Sequence, residues 1–269
     1  MLRKIKLSAK AWAIASAVVI VATTAVVATT LHTPMARLPG GDYVPFFQTS
    51  AGKGKARVAS VPIRIAAFRI DIFPVTNGQF LDFVRKHPEW RRSRIKSLFA
   101  DRHYLAKWRS DLTLPNARAA SEPVTNVSWF AAEAYCEAQG LRLPTTEQWE
   151  YALTDQGRKK NEIAQRSLEW FSTPNPEHLS AVGRGEPNGF GIYDLVGLVW
   201  EWTLDNNSFM TGTEQRNISS KDDAAFCGSG SVGVSDASDY PAFMRYALRS
   251  SLKAAYTVEN VGFRCEGDE

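Results

Sequence analysis

The sequence predicts an irregular, loop-heavy α+β domain, on three observations. Short apolar stretches with two-residue periodicity occur near residue 65. Three short helices carry their own start signals. The remainder is rich in Gly, Asn, Asp and Ser, with few long periodic stretches. The chain has 269 residues; 44% are hydrophobic and eight are tryptophan. That is enough apolar surface for a core, and it excludes a disordered or collagen-like chain. No internal repeat is visible. The folded part is expected at residues 61–269, one domain of about 210 residues.

The elements follow in chain order. Ile63, Ile65, Phe68, Ile70 and Ile72 fall mostly at alternate positions, which predicts a pair of strands. Thr76 can cap a short helix with Phe80, Phe83 and Val84 on one face. Ser128 can cap a second helix running through Ala138 and closed by Gly140. Thr145 and Gln148 have capping-box spacing for a third, with Trp149, Ala152 and Leu153 inward.

Ahead of this domain lies a leader. Arg3, Lys4, Lys6 and Lys10 carry the whole formal net charge of +4, so the rest of the chain is balanced. A basic surface for nucleic acid is therefore not expected. Residues 11–31 hold no charged side chain and as a helix would span about 30 Å. Residues 1–31 thus read as a signal peptide or a signal anchor, with Val26-Val27-Ala28 as one cleavage site and Pro34-Met35-Ala36 as a poorer one. The domain is expected outside the cytoplasm, in the periplasm or an equivalent compartment. It would be anchored in the inner membrane by residues 11–31 if the leader is not cleaved. Residues 32–60, with Gly40-Gly41 and Gly52 to Lys55, read as a linker.

One segment stands apart in charge. Residues 85–109 hold nine basic side chains against Glu89 and Asp101, interleaved with Trp90, Phe99, Tyr104 and Trp108. Two readings stay open: a docking surface for an acidic partner or an anionic membrane face, or a solvated helix with a few core aromatics.

Three blocks, read in order, resemble the formylglycine-generating-enzyme (sulfatase-modifying factor) superfamily. They are FPVTN from Phe73 with Phe80 and Phe83, PVTNVSWFAAEAYCEAQGLRLPTTEQWEYA over residues 123–152, and PNGFGIYDLVGLVWEWT over residues 187–203. The chain then closes on NVGFRC, residues 260–265, like the terminal block of that family. The resemblance covers residues 61–265. It implies a variant of the C-type-lectin-like fold with little regular secondary structure.

The resemblance carries further expectations onto particular residues. It implies a disulfide between Cys136 and Cys265. It implies a calcium ion held by the side chains of Asp194 and Glu201 and the carbonyls of Gly197 and Val199, although Leu198 replaces the usual Asn of that motif. A second calcium site of the family has no readable counterpart in residues 166–186. Members that make formylglycine hold Cu(I) between two cysteine thiolates. The matching positions here are Asp236 and Pro241, which supply no thiolate, so formylglycine generation is not expected. Cys227, Asp236, Trp200, Arg245, Arg249 and Asn260 are the candidate pocket residues, and each arginine reads equally as half of a structural salt bridge. The odd thiol Cys227 suggests intermolecular pairing, metal binding or reactivity, against a small buried hydrophobe.

The GLVWEW variant, the FCG block at residues 226–228 and the run from Asp239 to Thr257 look most like a cysteine-poor branch, the accessory protein of copper nitrite reductase. The pyoverdine-maturation protein is another such branch. The expected function is a membrane-tethered maturation factor for an exported protein or peptide, with copper or another redox metal as an open question. The alternative is an oxidoreductase that tailors a peptide or protein side chain. A G-x-G-x-x-G string at residues 228–233 is followed by loop composition rather than a helix, so no dinucleotide site is expected. His32, His87, His103 and His178 have no zinc spacing.

Overall fold

The computed structural model describes residues 33–44, 62–155, 160–206 and 240–269. Strands β1 (Met35–Leu38) and β2 (Gly41–Tyr43) run antiparallel to β4 (Phe68–Asp71) and β3 (Ile63–Ile65) respectively. Leu38 stands opposite Phe68 and Gly41 opposite Ile65, so one register continues through a break at Pro39-Gly40. Pro39 has no N–H to give to a ladder. A Cβ on Gly40 would lie 2.8 Å from the Ile65 carbonyl oxygen and 2.9 Å from the Ala67 nitrogen, so nothing larger than glycine fits. The far edge of β4 takes β7 (Glu266–Asp268), giving the sheet order β1-β4-β7.

This ribbon corrects two expectations. The linker expected at residues 32–60 is not one over residues 33–44, because β1 and β2 are strands of the domain. Leu38 and Tyr43 are fully buried there. The strands at 63–65 and 68–71 exist but do not pair with each other; each pairs with an upstream strand. Glycine and proline hid the first limb, and only two residues, Ala66 and Ala67, join β3 to β4. Residues 45–61 lie outside the described residues.

The three capped helices form from local signals. Helix α1 (Asn77–Lys86) starts at a full capping box of Thr76 and Gln79. Helix α2 (Trp129–Ala138) starts at Ser128, whose hydroxyl accepts from the Ala131 N–H, and is followed by Gly140 at φ +71°. Helix α3 (Thr146–Thr154) repeats the capping box with Thr145 and Gln148. Two helices were not read from the sequence: α4 (Lys160–Ser172) and α5 (Tyr240–Ser251). Two-residue strands β5 (Trp200–Glu201) and β6 (Val261–Gly262) pair in parallel.

Two apolar clusters organise these elements. Phe80, Phe83 and Val84 of α1 meet Ala131, Ala132 and Tyr135 of α2, with Trp202 and Phe263 between them. Phe80 stacks on Tyr135 at 5.8 Å and meets Phe263 edge-on at 6.1 Å. The ribbon's Leu38, Phe68 and Ile70 pack with Trp149 and Leu153 of α3 and with Ile192 and Leu195. Cys136 of α2 and Cys265 are joined by a disulfide inside the first cluster. The fold is therefore α+β with few regular elements, as expected. Among the described residues no helix is long and apolar enough to cross a membrane; residues 11–31 lie outside them.

Candidate functional site

Strand pairing builds the centre of the site. The β5–β6 pair sets Trp200 opposite Val261 and Glu201 opposite Gly262. A Cβ on Gly262 would come within 2.8 Å of the Val124 carbonyl oxygen, so this close approach requires glycine. Glu201 points inward and is fully enclosed. Its carboxylate accepts two bonds from Arg264, Nε to Oε2 and Nη2 to Oε1, both at 2.8 Å, and a third from Trp149 Nε1 at 2.6 Å. Arg264 also donates to the carbonyls of Asp71 and Tyr193, each at 3.0 Å. A buried guanidinium needs this saturation, because an unpaired charge in the interior is strongly disfavoured.

Asp71 stands beside this pair and accepts the Cys265 N–H at 2.9 Å. Burial pushes its carboxyl up to about 8, against the opposing pull of the Cys265 N–H and Arg264. Glu266, on the other side of Cys265, is pushed up to about 7 by burial, partly offset by Arg142. Two carboxyl groups that resist ionisation thus adjoin Cys265, one through its backbone N–H and one as its chain neighbour.

The calcium expectation rests on Asp194, Gly197, Val199 and Glu201. Asp194 and Gly197 both have left-handed backbones, at φ +59° and +105°, so the turn between them is tight. Asp194 Oδ2 accepts the Gly183 N–H at 2.6 Å, and burial raises its carboxyl above the ordinary range. The side chain borders a cavity of about 50 Å³ that Asp155, Glu162 and Glu186 also line, together with Arg166. Among the described residues no three His, Cys, Asp or Glu side chains converge on one point, so backbone carbonyls would have to complete any coordination. In donor type the set suits a hard cation, two carboxylates and two carbonyls, but of the four residues only Asp194 lines this cavity. Glu201 brings only its remaining acceptor capacity, since Arg264 and Trp149 hold most of it.

The candidate pocket residues divide into two groups. Arg245 and Arg249 do not wall an open pocket. Arg245 gives two bonds to Glu150 at 2.8 Å and Arg249 gives one at 2.9 Å, all in the buried interior. Arg249 also lies 4.5 Å from the Trp149 ring centroid. Burial pushes the Glu150 carboxyl up, but the two guanidiniums more than offset it, and it sits below its usual range. This is the structural salt bridge that the sequence left as the other reading, and it locks α5 onto α3.

Trp200 and Asn260 do come together. The Trp200 N–H donates to the Asn260 carbonyl at 2.8 Å, and Asn260 Nδ2 reaches Asn175 Oδ1 at 3.4 Å. The half-buried Trp200 ring is covered by α4, stacked on Phe171 at 5.0 Å and tilted against Trp170 at 4.7 Å. Pro241 is buried in the first turn of α5. Cys227 and Asp236 lie outside the described residues. Sequence reasoning missed Glu150, Asp71, Glu266 and Arg264. The available signal was a charged residue inside an apolar motif, as Glu150 stands between Trp149 and Tyr151 and Arg264 between Phe263 and Cys265.

These features define a class: a disulfide-closed α+β domain of low regularity, held by arginine–carboxylate pairs, with a half-buried tryptophan beside its terminal block. The chain belongs to the family of the sulfatase-modifying factor enzyme 1-like domain, whose profile matches residues 23–268. It is 30% identical to the formylglycine-generating enzyme of Streptomyces coelicolor, over 86% of this chain and 87% of that one. It is 29% identical to the inactive C-alpha-formylglycine-generating enzyme 2 of Bos taurus, over 86% and 87%. Among solved structures it is similar to PvdO from Pseudomonas aeruginosa, with a TM-score of 0.45, 15% identity, and 87% and 94% of the two chains covered.

Proposed function

We propose that this chain is an exported, membrane-tethered maturation or accessory factor that acts on another exported protein, and that it does not generate formylglycine. Cysteine accounting carries the reading. The sequence holds three cysteines, and Cys136 and Cys265 are joined to each other. Only Cys227 is left, and one thiolate cannot provide a two-sulfur Cu(I) site within one chain. The matching positions Asp236 and Pro241 carry no sulfur. The family scaffold is kept, while the ligands of its oxidase chemistry are not.

The motif variants at residues 197–202, 226–228 and 239–257 favour a copper nitrite reductase as the partner. Removing the gene is expected to lower the copper content of that exported enzyme. Unchanged loading overturns the accessory role, and conversion of a sulfatase-type cysteine peptide to an aldehyde by the purified chain overturns the other half. Calcium belongs to the same reading as a structural ion, held by Asp194, Glu201 and the carbonyls of Gly197 and Val199. When bound it would cross-link the turn before β5 to the interior.

A further inference from the structure

The basic segment at residues 85–109 is a fixed platform rather than a loose tail. Arg92 Nη1 donates to the Trp108 carbonyl at 2.9 Å, the Tyr104 hydroxyl to the Trp90 carbonyl at 3.0 Å, and the Ser93 N–H to Asp111 Oδ1 at 2.9 Å. Trp108 Nε1 donates to the buried Asn77 Oδ1 at 2.8 Å. Tyr104, Leu105 and Trp108 thereby face the core, and the cations between them are turned outward. Of the solvated-helix reading, Tyr104 and Trp108 are core as expected, but residues 91–109 form turns rather than a helix.

That surface is not neutralised. Arg85 pairs with Asp82, but among the described residues Arg94, Lys96 and Arg109 make no ion pair. Between them Leu98 stands 71% exposed, flanked by half-buried Ile95 and Phe99. A groove of about 530 Å³ opens alongside, lined by Arg91, Arg92, Ser93, Ser110, Asp111 and Leu112.

We infer that this face docks an acidic patch of a partner protein, with Leu98 as its apolar contact. Six of the nine cations are arginines, whose planar forks match carboxylates. An exposed apolar side chain within an arginine-rich segment on a hydrogen-bonded backbone has the elements of a protein interface. Insertion into a membrane surface would call for an amphipathic helix with a broad apolar face, whereas the described residues of 91–109 form turns with one strongly exposed apolar side chain; attraction to anionic headgroups alone is what the vesicle arm of the test reads. The inference deepens the accessory role and rests on it only in requiring a protein partner.

The test uses the full-length chain in neutral detergent, with fluorescein-labelled poly-L-glutamate and a labelled glutamate–tyrosine copolymer as probes. Fluorescence anisotropy reads binding at two salt concentrations. The variant Arg94→Glu/Lys96→Glu/Arg109→Glu is expected to weaken both probes about tenfold or more. The control Arg37→Glu/Arg64→Glu/Arg69→Glu makes the same charge change on the ribbon and is expected to change binding less than about twofold. Leu98→Ser is expected to weaken the copolymer alone. Equal losses in both triple variants overturn the inference, since binding would then follow net charge. So does a first triple variant that loses phosphatidylglycerol vesicles relative to phosphatidylcholine vesicles but keeps both polypeptide probes. Copper loading of a nitrite reductase does not enter these readouts, so a failure of the accessory role is distinguishable from a failure of the surface.

Discussion

Removing the Cys136–Cys265 bond is the most direct perturbation of this fold. The two cysteines are separated by 129 residues, so the bond closes nearly half of the chain into a loop. For a loop of that length the chain-entropy relation gives roughly 17 cal/mol/K, or about 5 kcal/mol at 25 °C. Domains of this kind have about 5–15 kcal/mol of total stability, so the bond accounts for a third of it or more. Both sulfurs are also buried in the first apolar cluster, and alanine at each position adds a packing loss. The double variant Cys136→Ala/Cys265→Ala should therefore unfold at lower urea, with a melting temperature lower by roughly 10–20 °C. Equilibrium urea unfolding of variant and wild type measures the difference. A loss below about 1 kcal/mol would refute the loop-closure reasoning. A second readout is thiol titration in urea without reductant: the monomer should give one thiol, Cys227, whereas three would show that the bond is absent.

Three further outcomes are expected. Glu150→Gln leaves Arg245 and Arg249 buried without their carboxylate and should cost about 3–5 kcal/mol in urea unfolding; a change within about 0.5 kcal/mol would mean the pair is not enclosed in solution. Asp71 at about 8 and Glu266 at about 7 hold protons in the folded state that the unfolded chain has already lost above about pH 5. The folded state thus binds more protons at neutral pH, and stability should fall by a few kcal/mol between pH 6 and pH 8. Equal or greater stability at pH 8 counts against the raised carboxyls. Chelation with excess EDTA should lower the melting temperature of the purified chain, and Asp194→Ala should abolish that response; a chelator-insensitive melt removes the calcium proposal.

The legibility of this fold depended on whether a signal was local. All three capped helices start where Thr76, Ser128 and Thr145 placed them, because a cap is decided by a residue and the amides two or three positions on. Helix α5 was not legible. Its inward residues are Pro241, Ala242, Arg245 and Arg249, and arginine at an inward position mimics a solvent face until Glu150, 95 residues upstream of Arg245, is brought to it. Helix α4 hides its inward side in the same way, behind Ile163 and Ser167. The strands β1 and β2 carry only short apolar signals around Pro39-Gly40, and their identity as strands comes from the distant partner limb. For the site, the resemblance located Glu201, Asp194 and Trp200 but not what surrounds them. A terminal block read as a string does not reveal that Arg264 holds Glu201, or that α4 covers Trp200.

The distribution of buried charge says which parts of this molecule are free to change its chemistry. Arg264 ties β6 to β5 through Glu201, and Arg245 with Arg249 ties α5 to α3 through Glu150. Asn206 adds a bond from its Nδ2 to the Leu252 carbonyl at 3.1 Å. Residues on both sides of 207–239 are therefore fixed by interactions that make no use of Cys227 or Asp236. These pairs join described residues to one another, so they stay in place when the metal-binding cysteine is lost at the Asp236 position, while the Pro241 position lies within α5 itself. Cys227→Ser and Asp236→Ala should accordingly leave urea stability within about 0.5 kcal/mol of wild type, while any accessory activity that depends on that interval is lost. Loss of stability in either variant would mean that the interval helps to hold the frame, and the separation of scaffold from chemistry would fail.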